Sequence, residues 1–228
     1  MAGRPPGPSD KGRQTRERLY RTALLLFAEQ GYEQTTLRGI AKRAQVSPGL
    51  LYRYFPSKQA LVLELYASLS STYAASIEGA VERPWSQGVR EATLTSLQTL
   101  SPHRETLRAL LGVLVSPGED SLFGANTRQA RERVQGAFHA ALERAPDRPD
   151  AWQDLALLAW LGHLAVILFW LLDRSPGQRA STALLEWVPW GAMGLALRLP
   201  GVGAAVSGLA TLVREGLLGE PTATPTKR

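Results

Sequence analysis

The thirteen residues VSPGLLYRYFPSK, positions 46–58, leave the chain little local freedom. Ser47 supplies a capping oxygen, and Pro48 suits the first position of a helix. Pro56 breaks that helix again near Tyr54 and Phe55. Into this short element the sequence packs Tyr52, Tyr54 and Phe55 beside Arg53 and Lys58. A core helix has no need of the cations, and a solvent-facing helix has no need of the rings.

The flanks explain the mixture. A helical period runs from about Arg13 to Gln30 with Leu19, Ala23, Leu26 and Phe27 on one face, and Gly31 stops it. Thr35 or Thr36 caps the next short helix, TTLRGIAKRA, whose buried face is expected at Leu37, Ile40, Ala41 and Ala44. Ser57 caps a fourth, longer helix from Lys58 to about Val81. Two short helices joined by a tight turn behind a supporting helix make a helix-turn-helix, whose second short helix enters the major groove of DNA. Gly49 then allows close approach of the backbone, and Ser47 and Pro48 lie on the leading turn. Thr36, Tyr54 and Lys58 are placed to reach phosphates, two of them near helix N-termini that favour an anion. Leu51 and Phe55 face inward, so the rings and the cations serve opposite sides. The competing reading, a capped core helix with solvated bases, fits any one of these residues taken singly.

Charge separates the readings. Residues 1–58 carry 11 Lys and Arg against 4 Asp and Glu, whereas the other 170 positions carry 15 against 16. All of the net charge of +6 therefore resides in the first quarter, which predicts an anionic partner, nucleic acid or an acidic membrane surface. A hydrophobic content of 44% with 20% charged residues indicates an ordinary globular chain. With no Cys, disulfides, thiolate metal sites and Cys nucleophiles are excluded, which fits a reducing compartment. The N-terminus has no apolar stretch of the secretory kind, so a cytoplasmic location is expected.

The run RERLYRTALLLFAEQGYEQTTLRGIAKRAQVSPGLLYRYFPSKQALVLELY, residues 16–66, resembles the N-terminal domain of TetR/AcrR-type transcriptional regulators. It reproduces, in order and spacing, F-x-x-x-G-Y, T-T, I-A, V-S-x-G-x-x-Y-x-Y-F and K-x-x-L. The resemblance implies operator contacts at Thr36, Ser47, Pro48, Gly49, Leu50, Tyr52, Tyr54 and Lys58. The turn position often held by Gly is Gln45 here, and the groove-facing Pro48 and Leu50 donate no side-chain hydrogen bond to a base. Sequence reading is then expected from thymine methyls, Arg38, Arg53 and DNA shape.

Beyond residue 66 no strand signal or repeat stands out. Helical segments are expected at 87–100, 103–115, 120–145, 151–172, 178–198 and 203–218, separated by Pro- and Gly-containing breaks. The expected fold is all-α: a basic arm over 1–12, a three-helix DNA-binding domain over 13–60, a long connecting helix into a helical regulatory and dimerisation domain over 61–218, and a tail over 219–228. Residues 155–172 form eighteen positions without formal charge, near the length of a membrane span. His163 in the middle, and Asp154 and Asp173-Arg174 at the ends, argue against spanning. The resemblance implies that the last two long helices pair with their symmetry mates. Leu158, Leu161, Ala165, Leu168, Leu172, Leu184, Leu185 and Val188 are accordingly assigned to a homodimer interface.

His103, His139 and His163 show no ligand spacing, so neither a metal nor a cofactor is expected. His163 among leucines is expected as a hydrogen-bonded core or interface residue, ahead of a pH sensor. All six Trp lie beyond residue 84, where they can fill a core or line an apolar cavity. Phe123, Phe138, Trp160 and Trp170 are placed near such a pocket, with a lipophilic or aromatic effector. The sequence thus points to a ligand-responsive homodimeric repressor of a palindromic operator, without enzymatic activity. The rivals are an enzyme using an all-α cavity, which lacks any catalytic motif, and a membrane-associated or ligand-binding helical protein without specific DNA recognition.

Overall fold

The computed structural model describes residues 10–79, 82–187, 197 and 199–219. Helix α1 (Asp10–Gln30) starts three residues before the expected position, so 10–12 of the supposed arm are helical. It is followed by α2 (Leu37–Arg43), α3 (Pro48–Tyr54) and α4 (Lys58–Ile77). Three caps fix these starts. Thr36, Ser47 and Ser57 accept hydrogen bonds on their hydroxyl oxygens from the amides of Gly39, Leu50 and Ala60, at 3.0, 3.3 and 3.1 Å. Thr35, the other cap candidate, is buried instead, and its hydroxyl donates to the carbonyls of Gly31 (2.8 Å) and Leu26 (3.2 Å). Gln45 takes φ +54°, the left-handed turn conformation commonly given to Gly, and accepts its moderate strain.

The remaining helices are α5 (Trp85–Leu100), α6 (Arg104–Ala109), α7 (Leu111–Val115), α8 (Arg128–Glu143), α9 (Trp152–Leu172), α10 (Arg179–Trp187) and α11 (Val202–Val213). The described residues contain no strand, as expected of an all-α chain. Two expected helices are corrected. The span 103–115 is broken at Leu110 into α6 and α7. The span 120–145 is helical only from Arg128, because residues 118–127 fold into a turn tied by side-chain bonds that compete with helix. There the Thr127 hydroxyl donates to the Ser121 carbonyl (2.7 Å), and Asn126 amide to Glu119 carbonyl (2.9 Å) closes the turn.

Two apolar cores form. The first joins Leu19, Phe27, Ile40, Leu51, Phe55, Leu61, Val62 and Leu65 with Leu107, Leu110, Trp170 and Leu171. Each fully buried side chain of this size is worth roughly 1.5–3 kcal/mol in transfer free energy. This core does not stop at residue 60. It draws α4, α6 and the end of α9 onto the helix-turn-helix. Arg104 reinforces the join, donating to the carbonyls of Trp170 (2.8 Å) and Asp173 (2.7 Å) at the α9 C-terminus. The second core lies among α5, α8 and α9 around Trp85, Phe138, Leu142 and Trp160.

Helix α9 is long and apolar enough to cross a membrane. In the fold it buries Leu155, Ala156, Trp160, His163, Trp170 and Leu171 against its own chain. Asp154 near its start accepts from the Ser207 hydroxyl (2.5 Å) and the Arg214 guanidinium (2.7 Å), anchoring α11 and the π-turn Arg214–Leu218. At its far end Asp173 accepts from the amides of Ser175 (2.8 Å) and Ser181 (2.9 Å), which fixes the turn into α10.

Candidate nucleic-acid interface and effector cavity

Helix α3 turns Leu51 into the first core at 0% exposure, with Phe55 behind it, while Ser47, Pro48, Gly49, Tyr52 and Arg53 are exposed. Leu50 and Tyr54 are half-buried at the edges. Thr36 and Arg38 are exposed on the preceding turn and on α2. The candidate residues of α2, α3 and their leading turns are therefore open to solvent in whole or in part, and Lys58 lies at the start of α4. That side chain is half-buried and its ammonium donates to the Tyr32 carbonyl.

Gly49 is informative because the fold does not ask for it. A Cβ built there meets nothing within 4 Å, and its φ is an ordinary one. Lys42 is a residue the sequence reading missed. It is exposed and lies four residues after Arg38, hence on the same side of α2. That i, i+4 spacing was the available signal. Arg43 is paired with Glu29 (3.3 Å), and Arg16 forms a two-point ion pair with Glu64 while stacking on Phe55, which ties α1 to α4.

A second site lies in the helical region beyond. A cavity of about 340 Å³ opens among α4, α5, α6, α7, α8 and α9, with Tyr66, Leu107, Phe123, Trp160, His163 and Leu168 among its lining. Of the four aromatic residues expected there, Phe123 and Trp160 line it, edge to face at 6.1 Å. The other two are corrected. Phe138 is fully buried in the second core against the His163 ring (4.9 Å), and Trp170 is buried in the first core beneath Arg104 (5.4 Å). His163 is 2% exposed and its Nε2 hydrogen-bonds the Ser96 hydroxyl at 2.8 Å. Burial in apolar surroundings pushes its pKa down to about 3, so the ring is neutral. Burial likewise raises the Tyr66 and Tyr73 phenols.

The residues assigned to an interface divide. Leu158 and Leu184 are half-buried, and Ala165, Leu168 and Leu172 are exposed. Leu161, Ala165 and Leu168 also line the cavity. Leu185 is 6% exposed within its own subunit, so it is already packed before any partner arrives. Val188 lies outside the described residues.

A capped helix-turn-helix thus stands on a helical frame that holds a lined apolar cavity. Residues 19–65 match the family described as "Bacterial regulatory proteins, tetR family". The chain is 35% identical over 147 residues to the HTH-type transcriptional regulator TcmR of Streptomyces glaucescens, covering 63% of this chain and 54% of that protein. It is 42% identical over 55 residues to the HTH-type transcriptional repressor KstR of Mycolicibacterium smegmatis, covering 24% of this chain and 27% of that one. The chain thus spans about half the length of TcmR and less of KstR. Among solved structures, a transcriptional regulator from Aquifex aeolicus VF5 superposes with TM-score 0.58 at 22% identity, covering 81% of this chain and 99% of that one. A TetR transcriptional regulator from Nitrosomonas europaea gives 0.56 at 20%, covering 76% and 94%. These last two bear on the fold. Over residues 19–65 the chain is thus similar to the tetR-family regulators, and the relatives it matches are named as transcriptional regulators.

Proposed function

We propose that the chain is a cytoplasmic, ligand-responsive repressor that binds a palindromic operator as a homodimer. The observation that carries this is the capped helix-turn-helix itself, with Thr36, Arg38, Lys42, Ser47, Pro48, Gly49, Tyr52 and Arg53 exposed within or beside the residues that match the tetR family. Thr36, Arg38, Ser47, Pro48, Gly49, Leu50, Tyr52, Arg53 and Tyr54 would contact DNA, with Lys42 joining them. Lys58 would reach phosphate with the donor capacity left beside its bond to Tyr32. Two copies of α3 would read half-sites about one helical turn (~34–36 Å) or a multiple of it apart. The expected four-helix pairing through α9 and α10 is supported by Leu168, Phe169 and Leu172, all more than 40% exposed on one end of α9. Homology to a named repressor favours repression.

The cavity would hold the effector. Leu69, Leu107 and Leu171 belong to the first core and line the cavity as well, so a molecule seated there presses on the packing that carries α1 to α3. It can release DNA only by binding better to one arrangement of the two reading helices than to the other. Selecting fragments from random DNA on the purified chain tests the reading. A palindromic consensus, with two-fold protection by a dimer, is the expected result. A folded chain that enriches no sequence at low salt would refute it.

A further inference from the structure

Among the described residues, the cavity lining holds one formally charged side chain, Arg131 of α8. No Asp, Glu or Lys stands beside it in that described lining, and the buried His163 ring is neutral. Tyr73 donates to the Ala92 carbonyl (3.1 Å), Thr99 to Thr95 (2.9 Å) and Thr127 to Ser121 (2.7 Å), so these hydroxyls are turned back on the protein. The rest of the wall is mainly hydrocarbon and aromatic, with Phe123 and Trp160 edge to face. A cation held in an apolar wall costs free energy unless an opposite charge answers it.

The Arg131 guanidinium donates from Nη1 to the carbonyls of Leu122 (3.1 Å) and Gly124 (3.2 Å). Carbonyls are neutral acceptors, so they hold the group in place and leave its positive charge. The N-terminal end of α8, which contributes Thr127, Ala130 and Arg131 to the wall, adds potential of the same sign. Glu119 and Asp120 lie on the neighbouring turn but outside the lining, and the Asp120 carboxylate accepts from the Asn126 amide (2.8 Å). An ammonium entering the cavity meets like charge, and an uncharged molecule gains little from the cation. A carboxylate gains a charge-assisted bond, in the two-point geometry that suits a guanidinium fork. Phe123 sits between the two acceptor residues and lines the cavity, so the turn that holds Arg131 also meets the hydrocarbon part of a ligand.

We propose that the cavity takes an amphiphilic carboxylate, with a hydrocarbon or aromatic body against Phe123 and Trp160 and its anionic group on Arg131. This seat rests on the cavity being the effector site. Three matched bicyclic probes test it on the full chain by titration calorimetry: 2-naphthoate, its neutral isostere 2-naphthamide, and 2-naphthylmethylammonium. 2-Naphthoate should bind about tenfold more tightly than 2-naphthamide, and the ammonium more weakly than the amide. In Arg131→Gln the ratio of naphthoate to naphthamide affinity should fall to about one. In the unaltered protein, 2-naphthoate should shift the guanidinium nitrogen resonances of Arg131 in nitrogen NMR further than 2-naphthamide does, which keeps the test open should the variant fail to fold. An amide or ammonium bound as tightly as 2-naphthoate overturns the ligand class. A ratio unchanged in the folded variant, or unmoved Arg131 resonances, overturns the seat at Arg131. No binding of any probe by a chain that still binds selected DNA removes the effector reading itself, and the seat with it.

Discussion

Lys58 donates a hydrogen bond to the main-chain carbonyl of Tyr32 at 2.8 Å, and its ammonium lies 4.2 Å from the centre of the Tyr32 ring. The cation at the start of α4 therefore clamps the turn between α1 and α2 before any DNA arrives. An ammonium has three donors, so one engaged proton leaves others for a phosphate.

Lys58→Ala is expected to show both roles. Loss of a charge-assisted bond and a ring contact should lower stability by about 1–2 kcal/mol. The salt dependence of DNA binding should become shallower by about one phosphate contact, with sequence preference kept. Urea unfolding and salt-titrated gel shifts read the two effects separately. A stability loss with an unchanged salt slope would leave Lys58 a purely structural clamp.

Gly49→Ala should move stability and binding in opposite directions. Alanine is favoured over glycine in a helix by about 1 kcal/mol, and the new methyl meets open space. Thermal unfolding should show an equal or more stable protein, while affinity for selected DNA should fall about tenfold or more as the helix is held off the duplex.

Protons should destabilise the chain through His163. Its folded pKa of about 3 lies below the value of about 6.5 in an unfolded chain, so the unfolded state binds the extra proton. The contribution is fully present above about pH 6.5 and is lost as pH falls toward 3, at up to about 1.4 kcal/mol per unit. Between pH values of about 6.5 and about 5, the unaltered chain should lose about 2 kcal/mol more than His163→Gln in urea unfolding.

Tyr66→Phe should be neutral or stabilising by up to about 1 kcal/mol. Its buried hydroxyl has no partner, and the ring that packs against the first core is kept. Calorimetric unfolding checks this, and a loss above about 2 kcal/mol would show that the hydroxyl is bonded in solution.

Breaking Asp154 should loosen the end of the chain selectively. Asp154→Ala removes the acceptor for Ser207 and Arg214, so limited proteolysis should cut within 199–219 sooner, with the helix-turn-helix unaffected.

The local signals were legible in the sequence because their physics is local. Ser47 and Pro48 start α3, Pro56 ends it, Gly31 stops α1, and the apolar period of α1 turns Leu19, Ala23, Leu26 and Phe27 inward, whatever lies elsewhere. The tertiary structure decided what depends on distant neighbours. Trp170 could line a pocket or fill a core, and packing in the first core, with Arg104 of α6 over its ring, assigned it to the core. Arg131 and Thr127 turned residues 118–127 away from helix by bonding to carbonyls. His163 gained Ser96, 67 positions away, and kept one nitrogen unsatisfied. Capping and period act within a few residues, whereas burial and hydrogen-bond satisfaction depend on which helices meet.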